Sequence, residues 1–166
     1  MPNYAINYVG IEGNVETIKS LYENAKQEDG KFHLLNTMVP RPESENENWY
    51  DWNLENWGTK WDISDPNLEY SDKGDGTAKI TGYFLTAWSD PVDAYKTFSE
   101  QNADVKIISA AMDLSMGWMS CSANGNSDSI YQEYEVSSRE DIESVPQFIQ
   151  EVFKEDIEEF LSSMGY

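Results

Sequence analysis

The side chains that most often perform nucleophilic or metal chemistry are scarce in this chain of 166 residues. His33 is its one histidine and Cys121 its one cysteine, and they lie far apart in the sequence. A zinc site needs three or four ligands at suitable spacing, so these two residues do not predict a metal centre. A cysteine–histidine pair formed by folding is conceivable, but we interpret both residues as structural.

Loops that bind phosphate or calcium also have no clear match. The segment Lys73-Gly74-Asp75-Gly76 carries two acids around its glycines and leads into an apolar run, so it predicts a hairpin turn. It lacks the later glutamate of an EF-hand loop. Carboxylate pairs carry no signal among 31 acidic residues. The sequence therefore predicts no catalytic residue, no cofactor and no metal site, and we expect a protein that is not an enzyme.

Negative charge is the strongest feature of the composition. There are 31 acidic and 11 basic residues, which give a formal net charge of −20. Such a chain repels bare nucleic acid and anionic membranes, so we expect neither as a direct partner and predict basic protein surfaces instead. The candidate partner-binding residues come from the acidic C-terminal segment and are Glu133, Glu135, Asp141, Glu143, Glu151, Glu155, Glu158 and Glu159.

The spacing of these acids suggests a mimic of nucleic acid. Glu151, Glu155, Glu158 and Glu159 would share the solvent face of one terminal helix, with neighbouring carboxylates about 5–6 Å apart. Alternate residues of a strand lie about 6–7 Å apart. Both spacings are on the order of the distance between successive phosphates. Such an array could occupy the basic groove of a nucleic-acid-binding protein, whereas the alternative is that the charge only keeps the protein in solution.

Tryptophan residues form a second candidate site. Aromatic rings can be core side chains, or they can form a face on which a base or a sugar stacks. A stacking face would favour a protein that binds or sequesters a small molecule. The residues of this candidate ligand patch are Trp52, Trp57, Trp61, Trp88 and Trp118.

Residue periodicity predicts a single α+β domain over residues 1–166, with helices packed on one face of a mainly antiparallel sheet and an additional C-terminal helix. Asn14 and the triplet Ser89-Asp90-Pro91 resemble helix starts with capping residues. We predict strands over 4–11, through Lys60 and Trp61, and over 78–88, 105–110, 117–122 and 130–136. The predicted helices cover 15–25, 49–56, a segment from Val92, and a continuous apolar stripe over 148–164.

Two motifs and a tripeptide resemble a known family. They are LENWGTKWD at 54–62, YFLTAWSDP at 83–91 and Met-Gly-Trp at 116–118. Together they resemble the YubB-type family, small phage and conjugative-plasmid proteins with a ferredoxin-like domain. The resemblance implies a ferredoxin-like core over 1–125 and a mobile-element origin. It implies no iron–sulfur chemistry, since a cluster needs four cysteines, and the acidic hairpin strand and helix at 126–166 lie outside it.

These observations together lead to one functional expectation and two alternatives. We expect a non-enzymatic phage or plasmid accessory protein that inhibits a host nucleic-acid-binding defence protein, of the anti-CRISPR or anti-restriction type. The alternatives are a small-molecule binder that uses the tryptophan patch, or a plain acidic interaction module. We expect it in the host cytoplasm, because we see no signal peptide, no apolar run of about 20 residues and a single cysteine.

Overall fold

An antiparallel sheet of six strands organises residues 3–126 and 128–166, which the computed structural model describes. Helices pack against both faces of this sheet. The strands are β1 Tyr4–Asn14, β2 Ser64–Asp72, β3 Thr77–Ala87, β4 Lys106–Asp113, β5 Trp118–Gly125 and β6 Asp128–Glu135. The helices are α1 Val15–Ala25, α2 Leu34–Met38, α3 Trp49–Asn56, α4 Val92–Gln101, α5 Arg139–Ser144, α6 Gln147–Val152 and α7 Lys154–Ser163.

The strand order is β2-β3-β1-β4-β5-β6, and each neighbouring pair is antiparallel. This arrangement confirms the predicted α+β class with a mainly antiparallel sheet. With α2 and α3 set aside, the elements β1, α1, β2, β3, α4 and β4 occur in the order β-α-β-β-α-β. The ferredoxin-like assignment of this core stays a prediction. The strands predicted over 117–122 and 130–136 correspond to β5 and β6, whose hairpin extends the sheet beyond β4.

The first face of the sheet carries the larger hydrophobic core. Side chains alternate along β1, so Val9 and Ile11 point towards α1–α4, whereas Ile6 and Tyr8 point to the opposite face. Asn14 caps α1 as predicted, because its Oδ1 accepts a hydrogen bond from the Thr17 N–H at 2.9 Å. Helix α3 has the predicted bounds, and the chain turns at Gly58, whose φ is +85°.

The second face is covered in part by the three C-terminal helices. Ile149 and Phe153 are fully buried there against residues of β4 and β5 that include Met112 and Met119. The prediction that helices pack on one face is therefore right for α1–α4, and the C-terminal helices form an additional layer on the other face. This layer, residues 139–166, is called the C-terminal layer below.

The predicted continuous terminal helix is wrong. Phe153 has φ −112° and ψ 22°, and it separates α6 from α7. The Tyr83 hydroxyl donates a hydrogen bond of 2.7 Å to the Val152 carbonyl, an oxygen that a continuous helix would direct to the N–H four residues further on. The apolar stripe thus predicted the buried side of the helices but not the break between them.

The strand predicted through Lys60 and Trp61 is also wrong, because both residues lie in a series of bends. The strand that does form in this region is β2, which begins after Trp61. It contains Pro66 and begins with an irregularity in register between Ser64 and Asn67. Pro is tolerated there because β2 is an edge strand. The positive φ of 50° at Asp65 belongs to the same irregularity, and it interrupts the alternation that would have revealed the strand.

Helix α4 follows Pro91 as predicted, but the predicted capping interaction is not formed. The Ser89 hydroxyl donates instead to the Gly58 carbonyl at 2.6 Å, and Asp90 accepts a hydrogen bond of 2.5 Å from the Ser120 hydroxyl. These polar side chains therefore attach the loop before α4 to the turn that follows α3 and to β5, rather than starting the helix.

Candidate functional site

The C-terminal layer carries a dense negative charge. Residues 139–166 contain eight acidic and two basic residues, a formal net charge of −6. Both basic residues face a glutamate one turn along their helix, with Arg139 Nε 2.6 Å from Glu143 Oε1 and Lys154 Nζ 4.0 Å from Glu158 Oε1. All four side chains are mostly exposed, so water screens these pairs strongly.

Four of the predicted partner-binding glutamates lie together on α6 and α7. Glu155, Glu158 and Glu159 are exposed on α7, and Glu151 is exposed on α6 across the break at Phe153. The Glu151 carboxylate accepts a hydrogen bond of 2.7 Å from the Gln147 side chain. The helices are fixed to the sheet through the apolar side chains beneath, so these carboxylates project from a supported surface.

Mutual repulsion is visible at Asp156, which lies between these glutamates. Burial raises the pKa of this carboxyl, and the charges of Glu159 and Glu155 raise it further, against a backbone hydrogen bond that lowers it. An uncompensated negative potential of this kind attracts a cationic partner.

The other predicted acids do not join this group. Glu133 and Glu135 lie on the first face of edge strand β6, opposite to the C-terminal layer. The junction of α6 and α7 lies over Tyr83 of β3, four strand positions from β6, or about 19 Å at the usual strand spacing. The predicted set therefore divides into two surfaces.

Asp141 and Glu143 have local partners. Asp141 accepts hydrogen bonds from the backbone N–H groups of Ser137 and Ser138 and from the Ser137 hydroxyl, which lower its pKa. Together with the Ser138 side chain it forms the capping box of α5. The structure thus gives Asp141 a folding role that its spacing alone did not reveal.

The tryptophan patch divides between the core and the surface. Trp57 is buried, its indole N–H donates to the Val39 carbonyl at 2.9 Å, and its ring meets the half-buried ring of Trp52 edge to face. Trp118 lies on β5, which is separated from β3 by β1 and β4, and so it stands apart from the other four.

Trp61 and Trp88 enclose a lysine. The Lys60 ammonium lies 4.6 Å from the centroid of the Trp61 ring and 4.8 Å from that of Trp88. These are distances for cation–π attraction. Trp88 has φ +68°, a left-handed conformation that is unusual for a bulky residue, and the residue is 43% exposed.

The two motifs that carry the family resemblance are joined to each other in the structure. The Thr59 hydroxyl donates to the Ala87 carbonyl at 2.8 Å, and the Ser89 hydroxyl donates to the Gly58 carbonyl. Lys60 adds the cation–π contact to Trp88. The conformation of each motif thus depends on the other, and the spacing of the two motifs did not indicate this contact.

A polar network around the buried Asp90 was also missed from the sequence. Asp90 is buried and accepts from Ser120, and the Tyr131 hydroxyl donates to Glu133 Oε2 at 3.0 Å and lies 3.4 Å from Asp90 Oδ1. Burial raises the pKa of Asp90, against the hydrogen bond from Ser120. Burial and the nearby Asp90 charge raise the pKa of Tyr131 as well.

Comparison with known proteins adds little to this geometry. No protein-family model and no curated protein matches the chain. Among solved structures, the chain is similar to the crystal structure of a protein api92 from Yersinia pseudotuberculosis, of family DUF1281, at 12% identity and a TM-score of 0.47. The similarity covers 63% of this chain and 40% of that chain. The resemblance to the YubB-type family stays a prediction.

Neither metal-binding clusters nor membrane-spanning helices occur among the described residues. In that part of the chain, no group of three or more His, Cys, Asp or Glu side chains is placed to hold a metal ion. Across residues 3–126 and 128–166, no helix combines the length and the apolar character needed to cross a membrane.

Proposed function

We propose that this protein is a non-enzymatic phage or plasmid accessory protein whose C-terminal layer binds the basic surface of a host nucleic-acid-binding defence protein in the cytoplasm. The observation that carries the proposal is the density of exposed carboxylates on α6 and α7, with both basic residues of the layer placed beside glutamates. The mobile-element origin implied by the family resemblance supports an anti-CRISPR or anti-restriction role.

The proposed contact surface is smaller than the sequence suggested. It consists of Glu151, Glu155, Glu158 and Glu159, because Glu133 and Glu135 lie on the opposite face of the sheet. Exposed carboxylates on two short helices steer a basic partner over long range and set the rate of association more than the affinity. Binding should therefore weaken steeply as salt rises.

A pull-down from host lysate tests the proposal with a matched pair of variants. In the first variant Glu151, Glu155, Glu158 and Glu159 are all changed to Lys, which takes the net charge from −20 to −12. The control makes the same number of Glu→Lys changes on the first-face helices α1, α3 and α4, at exposed positions. The control positions are Glu16, Glu23, Glu55 and Glu100.

We expect the natural chain and the control to retain a basic nucleic-acid-binding protein that salt elutes, and the first variant to lose it. Equal loss of the partner in both variants would show that net charge alone is responsible, as in a plain acidic interaction module. Full retention by both variants would show that the four C-terminal glutamates are not the contact. Failure of the natural chain to retain any basic nucleic-acid-binding protein would refute the proposal.

A further inference from the structure

A cleft lined by both aromatic and polar side chains lies on the first-face side of the molecule, among the segments that surround α2 and α3. Its volume is about 490 Å³. It combines aromatic rings with hydrogen-bonding groups, unlike the acidic surface of the C-terminal layer. The lining residues used in the argument are Arg41, Trp49, Asn53, Trp57, Trp61 and Asp62.

Arg41 supplies the positive charge of this cleft. Its Nη1 donates a hydrogen bond of 2.9 Å to Oδ1 of the buried Asn53, and its guanidinium lies 6.0 Å from the centroid of the Trp57 ring. Among the described residues, no carboxylate oxygen lies within 4.0 Å of its nitrogens, although acids outnumber bases almost threefold. Its Nε also donates to Oδ1 of Asn46 at 3.5 Å. A guanidinium has five N–H donors, so the two amides orient Arg41 and leave donors on Nη1 and Nη2 for a ligand.

Asp62 supplies an acceptor in a fixed position. Its Oδ1 accepts from the backbone N–H groups of Leu35 and Ile63, and its Oδ2 accepts from that of Asn36, at 2.8–2.9 Å. Burial raises the pKa of Asp62, and these backbone donors lower it. An ionised carboxylate has about four lone-pair sites, so three backbone bonds leave one site on Oδ2 to accept from a ligand.

The tryptophans supply flat surfaces for stacking. Trp49 is 37% exposed at the cleft, and Trp61 is half-buried. Indole rings stack on planar heterocycles and contribute large contact area with few rotatable bonds. The cleft therefore combines guanidinium donors, a carboxylate acceptor and exposed aromatic surface.

We infer that the cleft binds an uncharged planar base of the guanine type. Arginine pairs with the O6 and N7 acceptors of guanine, the remaining acceptor site on Asp62 can accept one hydrogen bond from its ring N–H or its amino group, and an indole can stack on its face. A net charge of −20 opposes a phosphate-bearing ligand, so the nucleoside is favoured over the nucleotide. This inference is independent of the C-terminal layer and of the partner proposed for it.

Titration calorimetry on the full chain with guanosine, adenosine and guanosine monophosphate tests the inference. Guanosine should bind, and adenosine should bind at least about tenfold more weakly, because adenine presents a donor where guanine presents the O6 acceptor. The monophosphate should bind more weakly than guanosine, and the difference should shrink as salt rises. Absence of guanosine binding, or equal affinity for adenosine, would overturn the inference.

Matched variants then locate the site. Arg41→Gln should weaken guanosine binding at least about tenfold, the loss expected for one bidentate contact. Arg139→Gln is the control, because Arg139 is the chain's other arginine and lies in the C-terminal layer. Unchanged affinity in Arg41→Gln would contradict the assignment.

A second pair keeps the test valid if Arg41→Gln does not fold. Trp49→Ala removes a partly exposed ring that lines the cleft, and Tyr4→Ala removes the ring of a residue of similar exposure on the second face of the sheet. Guanosine binding should fall in Trp49→Ala and persist in Tyr4→Ala. Retention of guanosine binding in Trp49→Ala would place any binding outside this cleft and overturn the inference.

Discussion

Asp90 shows how a single residue in this chain combines charge with burial. Most of the acids are at the surface, but Asp90 is only 7% exposed. Its carboxylate accepts from Ser120 and lies beside the hydroxyl of Tyr131. These bonds hold the β3–α4 loop on β5, and burial makes the ionised form unfavourable, so the pKa is raised. The residue thus orders the loop at an electrostatic cost.

The Asp90→Asn variant should be more stable than the natural chain at pH 7. The amide oxygen can still accept from Ser120, and the buried charge is removed. Because the folded-state pKa of Asp90 is raised above its unfolded value, the cost of ionisation is present above the folded pKa. It disappears as the pH falls through that value. The advantage of the variant should therefore shrink in acid.

Urea denaturation at pH 7 and in acid measures this effect. Asp51→Asn is the control, because it removes the same unit of charge from an exposed position on α3. An equal change in the free energy of unfolding for both variants would show that only net charge matters.

At the scale of elements, the turn after α3 depends on close contact with the loop before α4. Gly58 has φ +85°, and a Cβ placed there would lie 2.9 Å from Asp93 Oδ2 and 3.3 Å from the Asp90 carbonyl oxygen. The turn also receives the Ser89 hydroxyl bond. A side chain at this position would therefore meet both an unfavourable backbone conformation and a neighbouring element.

Gly58→Ala should destabilise the protein by more than the roughly 1–2 kcal/mol expected for a left-handed residue with a Cβ. Gly74→Ala separates the two causes, because Gly74 has φ +78° and a Cβ added there would meet no atom within 4 Å. Thermal or urea unfolding of both variants measures the difference. Equal losses would mean that the contact between the two motifs adds nothing to the backbone effect.

The elements that sequence reasoning predicted are those determined by local patterns. Asn14 and the apolar spacing after it identify α1, and the run that became β3 identifies a central strand paired on both sides. The break at Phe153 could not be predicted, because it coincides with a hydrogen bond to the Val152 carbonyl from Tyr83, which lies 69 residues before Val152 in the chain. The edge strand β2 was hidden by Pro66 and by the positive φ at Asp65.

The candidate sites depend even more on long-range packing. The acidic spacing predicted exposed glutamates on α7 correctly, but the sequence could not show that β6 and the C-terminal layer face opposite sides. The cleft brings Arg41 to Asn53 across a turn of the chain, and no spacing rule predicts that arrangement. The types of residue at the candidate sites could be predicted from the sequence, whereas the fold was needed to show which of these residues lie together.

At the scale of the whole molecule, self-repulsion opposes compaction. With 31 acids and 11 bases, the folded chain holds like charges closer than the unfolded chain does. Sodium chloride shortens the range of this repulsion, with a screening length of about 10 Å at 0.1 M and about 3 Å at 1 M. The melting temperature should therefore rise with salt.

The Glu→Lys variant at positions 151, 155, 158 and 159 should show a smaller rise, because its net charge is reduced from −20 to −12. Differential scanning calorimetry over a salt series makes the comparison. A fall in melting temperature with salt in the natural chain would mean that favourable ion pairs outweigh the repulsion.

The two cores on opposite faces of the sheet have a consequence for local opening. The C-terminal layer contributes Ile149, Phe153 and Ile157 to its own core, while α1–α4 pack on the other. Native-state opening often proceeds through such contiguous units. Detachment of the last three helices would leave the strands and the first-face core paired. Amide hydrogens in α6 and α7 would then exchange with solvent ahead of those in β1 and β3, and the surface proposed to contact a partner would be the part of the molecule that opens first.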